Sequence, residues 1–147
     1  MTNILFICKS DRIAAKMAAA YLSHRLEELG CKEVETFSAG TSVRRGNGIP
    51  EVAVNFLKSI GCTVPLLMST QLTLKEIRNA DLIVCLSEET FVRVSDGYKS
   101  AKYKTINLMA KFGGGEDVFE PRSTLESCRN CMAMMKSSLD NMAERLK

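Results

Sequence analysis

The chain has 147 residues, 46% of them hydrophobic and 25% charged, with a net charge of +3. That length can bury the core of one domain, and the composition is ordinary for a soluble globular chain. Lys and Arg are interspersed with acids, and Arg44-Arg45 is the only adjacent arginine pair, which argues against nucleic-acid and membrane-surface partners. No stretch approaches the roughly 18 apolar residues needed to span a bilayer. Met1 to Cys8 lacks the positive flank and the long apolar run of a signal peptide, so the expectation is a cytoplasmic protein. Its six irregularly spaced cysteines are then expected to be free thiols.

Ile4 to Ile7 is a continuous apolar run, the pattern of a central parallel strand. A helix follows, with Ala18, Leu22, Leu26 and Leu29 on one face and Gly30 as its stop. Val34 to Ala39 reads as a second strand. Pro50 opens the next helix, with Ala53, Phe56 or Leu57, and Ile60 inward, and Gly61 closes it. Thr73 to Glu76 has the spacing of a capping box for a short helix. Leu82 to Leu86 is a third strand, Ser87 caps another helix, and Thr105 to Leu108 is a weaker fourth strand.

Ser123-Thr-Leu-Glu126 has the spacing of a second capping box. Leu125, Cys128, Met132, Met135, Leu139, Met142 and Leu146 then recur at steps of three and four, one apolar stripe on a long final helix. His24 falls off the apolar face of its helix and is expected in solvent, and Gly113-Gly-Gly115 reads as a mobile loop or an ordinary flexible turn. The alternation of strands and helices predicts an α/β fold of three layers, α/β/α, with a central four-stranded parallel sheet in a single domain over residues 1–147.

In such folds ligands bind beyond the carboxyl ends of the strands, and Cys8 ends the first strand immediately before a helix. Helix N-terminal amides bind anions and lower a thiol pKa, so a cysteine there is placed for anion chemistry. The alternative at this point is that Cys8 is a small buried hydrophobe.

The run Cys8-Lys-Ser-Asp-Arg-Ile-Ala-Ala-Lys-Met-Ala-Ala-Ala20 resembles the phosphate loop of the low-molecular-weight protein tyrosine phosphatases, V-C-x-G-N-x-C-R-S-P-M-A-E-A. Further landmarks follow in order. Ser38-Ala-Gly-Thr41 matches S-A-G-T, Leu72-Thr73 matches L-T, Ala80-Asp-Leu-Ile83 matches A-D-L-I, and Asp117-Val-Phe-Glu-Pro121 occupies the D-x-x-D-P segment. The resemblance covers the whole chain and implies that family's fold. It also implies Cys8 as nucleophile, Glu120 in the general-acid position, and a binding loop of Lys9, Ser10, Asp11, Arg12, Ile13 and Ala14. It implies no metal and no cofactor.

The loop departs from the family pattern at the residues that carry chemistry. The arginine six positions after the nucleophile is Ala14, and the supporting hydroxyl that follows it is Ala15. A guanidinium there grips two phosphate oxygens and stabilises transition-state charge, which alanine does not. Gly and Asn are replaced by Ser10 and Asp11; Ser is expected to strain a positive-φ backbone, and Asp11 to repel a phosphate. The second cysteine is Ile13. Arg12 either reaches an anion or pairs with the adjacent Asp11, the pairing being the expectation. Glu120 is either a proton donor or a solvated loop acid. Arg44, Arg45 and Arg122 form either a cationic rim or separate surface charges, and no aromatic wall follows Pro121.

Three functions compete on these residues. The first is a weakly active or inactive phosphatase homologue kept as a binding or regulatory module, its partner a phosphorylated protein or small anionic ligand. The second is a divergent phosphomonoesterase using Cys8, Glu120 and Arg12. The third is thiol redox chemistry of the arsenate-reductase type, with five further cysteines available to Cys8, among them Cys85 on a strand bordering that region. Cys128-Arg-Asn-Cys131 has CxxC spacing, but it lies inside the final helix, where core packing is expected, and no ligand set completes a zinc site.

Overall fold

The computed structural model describes residues 1–147. Strand β1 (Thr2–Cys8) leads into helix α1 (Ala14–Glu28), then β2 (Val34–Gly40), α2 (Glu51–Ser59) and α3 (Leu74–Asn79). β3 (Leu82–Cys85) and α4 (Glu88–Gly97) follow. A 3-10 turn (Lys99–Lys104) precedes β4 (Thr105–Asn107), α5 (Leu108–Phe112) and α6 (Leu125–Leu146). The four strands form one parallel sheet in the order β2-β1-β3-β4, so the expected α/β/α architecture is present.

Side chains alternate across β1, and the two faces build two cores. Ile4, Phe6 and Cys8 face a large cluster with α1, α2, α5 and α6. Leu5 and Ile7 face a smaller cluster with Ile77 of α3, Ile83 and Cys85 of β3, and Val94 of α4. β1 is buried on both sides, which is why its apolar run is continuous. The methionines of α6 pack inward with Leu139, and Cys128 and Cys131 are both sealed in this core.

Several boundaries differ from the sequence expectation for local reasons. α6 is capped by Thr124, whose hydroxyl accepts from the Ser127 amide, so Ser123 is not the cap and Leu125 lies exposed in the first turn. The α3 capping box is present as the spacing predicts. Asn107, at the end of β4, caps α5 by accepting from the Ala110 amide, a short helix with no periodicity to announce it. The glycine run follows the end of α5 as an exposed turn. Gly113 and Gly115 donate to the Met109 carbonyl, and a side chain on Gly113 would collide with Ser138 of α6. His24 is half-buried rather than solvated, with its ring under Gly61 and its Nε2 3.6 Å from Glu28.

Candidate active site: a phosphate-type loop closed by Glu120

Residues 9–13 link the end of β1 to the start of α1 across the carboxyl edge of the sheet. β2 supports this loop from one side. The Thr41 amide donates to the Cys8 carbonyl at 3.1 Å, and the Ser42 amide to the Lys9 carbonyl at 2.8 Å. Gly40 has to be glycine for this approach. A Cβ there would stand 2.7 Å from the Lys9 carbonyl and 2.9 Å from the Asp11 amide.

Asp11 sits at φ 51°, the only non-glycine residue in the left-handed region, a conformation that Asn and Asp accept better than other residues. Ser10 does not adopt positive φ, so the strain expected there is absent. The Asp11 side chain is fully buried and turns beneath the loop rather than into its mouth. Its Oδ2 accepts from the Thr70 amide at 2.8 Å and lies 3.4 Å from Lys16 Nζ, while its backbone carbonyl accepts from Ser69 Oγ. Lys16 also donates to Ser38 Oγ at 3.3 Å. The expected pair of Asp11 with Arg12 does not form, because Lys16 and Thr70 reach the carboxylate from below. Nor does Asp11 confront an anion as expected. Asp11 Oδ1 is left without a partner, and burial raises the carboxyl above its ordinary value although Lys16 opposes the shift.

Cys8 lies under the loop with almost no exposure. Burial foremost, and then the negative charge of Glu120, push its thiol up to about 12; the amides of Ala15 and Asp11 work in the opposite direction. Ala14 and Ala15, at the start of α1, are buried and bring no charge or hydroxyl. Burial and the Glu120 charge both favour the protonated thiol over the thiolate.

Glu120 is neither a free loop acid nor positioned only to donate a proton. Its Oε1 accepts from the Ile13 amide at 3.1 Å and the Ala14 amide at 3.4 Å, at the N-terminus of α1. Although the Glu120 residue is exposed overall, desolvation of its carboxyl at the helix start raises it above its ordinary value. The amides of Ala14 and Ile13, the Cys8 thiol and the charge of Arg12 all favour its ionised form. Arg12 is half-buried and forms no ion pair with Asp11 or Glu120, though its charge favours the ionised form of Glu120. Lys9 projects outward and Arg44, Arg45 and Arg122 are exposed. Two clefts, of about 500 Å³ between α1, α2 and α6 and about 760 Å³ beside β2, lie apart from the thiol; neither is lined by Cys8 or Glu120.

Cys85 does not neighbour Cys8 as a redox partner. It pairs in register with Ile7 and faces the opposite core. Cys131 of α6 lies in the core on the Cys8 side, together with Cys62 and Cys128. Burial first, then Glu120, Cys128 and Cys8, push the Cys131 thiol up to about 12, and its Sγ donates to the Phe119 carbonyl at 3.5 Å. Sequence reasoning missed Lys16, and it read Cys131 only as part of a CxxC spacing packed in the core. Lys16 had a signal: it replaces the proline of the family loop in the chain that also replaces asparagine with Asp11.

The family model described as low molecular weight phosphotyrosine protein phosphatase matches residues 3–147. No curated protein matches the sequence significantly. Among solved structures, the YwlE arginine phosphatase from Geobacillus stearothermophilus superposes with a TM-score of 0.85 at 26% identity, over 99% of this chain and 93% of the other. A YwlE mutant from Bacillus subtilis reaches 0.89 at 20% identity over 99% of each chain. A low molecular weight protein tyrosine phosphatase from T. tengcongensis reaches 0.89 at 22% identity, over 99% of this chain and 100% of the other.

Proposed function

The chain belongs to the low molecular weight phosphotyrosine protein phosphatase family, and from that premise we propose that it is a single-domain phosphatase homologue without ordinary phosphoester turnover, retained as a binding or regulatory module. The observation that carries this reading is the surroundings of Cys8. A thiol pushed up to about 12 has a carboxylate beside it and two alanines where the family has arginine and hydroxyl. In-line attack on a phosphoryl group needs a thiolate and positive charge on the equatorial oxygens. The partner that suits this loop is a phosphorylated protein or small anionic ligand. The expected compartment is the cytoplasm.

The test is hydrolysis of p-nitrophenyl phosphate and of phosphoarginine, the latter because a structural relative is an arginine phosphatase. The wild type and Cys8→Ser are expected to give the same background rate. A Cys8-dependent turnover of about 1 s⁻¹ or more, within the ordinary enzyme range, would sink the reading.

A second reading has one observation in its favour, because Cys8 still ends β1 directly before α1, where Glu120 reaches the first helix amides and Arg12 stands half-buried on the same loop. In it Cys8 attacks phosphorus to form a phosphocysteine, Glu120 protonates the leaving oxygen, and water then releases phosphate. It requires Arg12→Ala to reduce turnover; an unchanged rate removes Arg12 from the site.

A further inference from the structure

We propose that Glu120 is an internal ligand of the loop, an autoinhibitory carboxylate occupying the seat that an external oxyanion would take. The inference rests on the reading above and adds what fills the loop in place of a substrate.

Helix α1 begins without a cap of its own. Ile13, its N-cap residue, has no side-chain oxygen, so the first amides of the helix need an acceptor from elsewhere. Glu120 Oε1 supplies it to Ile13 and Ala14 together. A carboxylate at this position also complements the helix dipole. The nearby Cys8 thiol and the Arg12 charge also favour the ionised form of this carboxylate, which stands at the amides beside the nucleophile position.

The backbone that delivers Glu120 is tied on both sides. Before it, the Val118 amide donates to the Leu86 carbonyl at 2.9 Å, and Asp117 Oδ1 accepts from the Glu88 amide at 2.9 Å. The Phe119 carbonyl accepts from Cys131, Pro121 is buried, and the Arg122 amide donates to Ser127 Oγ at 2.8 Å. An acceptor held on so short and anchored a strap competes at a high effective concentration. An incoming phosphate would have to displace Glu120 or sit against its charge, with no guanidinium at position 14 to compensate.

Side-chain length completes the fit. The family pattern has aspartate at this place, and glutamate is one methylene longer, on a strap whose position is already fixed. Glu120→Asp should withdraw the carboxylate from the amides while keeping its charge and the strap.

The experiment is titration of inorganic phosphate into the full-length wild type, Glu120→Ala and Glu120→Asp, read by calorimetry and by thermal stabilisation. Both variants are expected to bind phosphate at least about tenfold more tightly than the wild type. If Glu120→Ala does not fold, Glu120→Asp decides. Equal affinity in the wild type and the folded variants, or no binding in either variant, overturns the internal ligand. Turnover is read in the same samples. Cys8-dependent hydrolysis by the wild type would remove the earlier reading without changing the binding comparison, whereas flat binding would remove the internal ligand alone.

Discussion

Lys16 Nζ lies 3.4 Å from Asp11 Oδ2, both side chains sealed from solvent, and this pair fastens the underside of the loop to its own helix. A buried pair is costly to break, because the survivor keeps an uncompensated charge. Lys16→Met and Asp11→Asn made singly are each expected to destabilise, Lys16→Met by about 3 kcal/mol. The double variant should cost less than their sum, with a coupling of about 1–3 kcal/mol in denaturant unfolding. Additive effects would show that the pair does not act as a unit.

The same pair has a pH signature. Burial raises the Asp11 carboxyl above 3.8. The native chain therefore holds that proton more tightly than the unfolded chain. Stability from this group is fully present below 3.8 and is lost as pH rises through the higher native value. Asp11→Asn should flatten that part of the stability profile. An unchanged profile in the variant would assign the loss to another carboxyl, such as Glu120, which is also raised.

The Cys8 thiol should titrate late. Thiolate absorbance, taken as the difference between wild type and Cys8→Ser, is expected to grow in with a midpoint near about 12. Its contribution to stability is present below 9.0 and falls as pH rises toward that midpoint. A midpoint below 7 would mean an activated nucleophile.

Mild oxidation should not link Cys8 to Cys85, since the two lie on opposite faces of the sheet. Peptide mass mapping after oxidant treatment checks this. A Cys8–Cys85 disulfide in the folded chain would contradict the strand register.

Restoring the arginine by itself should not restore the enzyme. In Ala14→Arg the new guanidinium meets the Glu120 carboxylate already at the start of α1, so hydrolysis should stay at background. Ala14→Arg with Glu120→Asp is expected to exceed Ala14→Arg in p-nitrophenyl phosphate turnover. Equal rates would show that Glu120 does not obstruct the site.

The fold was largely legible because its signals are local or periodic. The buried run Ile4 to Ile7, the Thr73 to Glu76 capping box and the stripe from Cys128 to Leu146 each have one simple structural solution. α5 escaped notice because five residues are too few for a helical period, and its cap comes from the last strand residue, Asn107. At the site, the missing arginine and hydroxyl could be read directly from Ala14 and Ala15. The partners of the charged residues could not. Adjacent Asp11 and Arg12 look paired, yet positive φ turns Asp11 down toward Lys16 and Thr70. Glu120 meets Ile13 across 107 positions of sequence, a contact set by chain packing rather than spacing.

The most direct test of the central claim is a search for the covalent intermediate. The wild type is mixed with excess p-nitrophenyl phosphate, quenched in acid and examined by intact and peptide mass. A chain whose buried Cys8 is disfavoured as thiolate, and which lacks the loop arginine, should carry no phosphoryl adduct on Cys8, as in a Cys8→Ser control scored at that position. A phosphocysteine at Cys8 in the wild type would contradict the account and establish the chain as a working phosphatase.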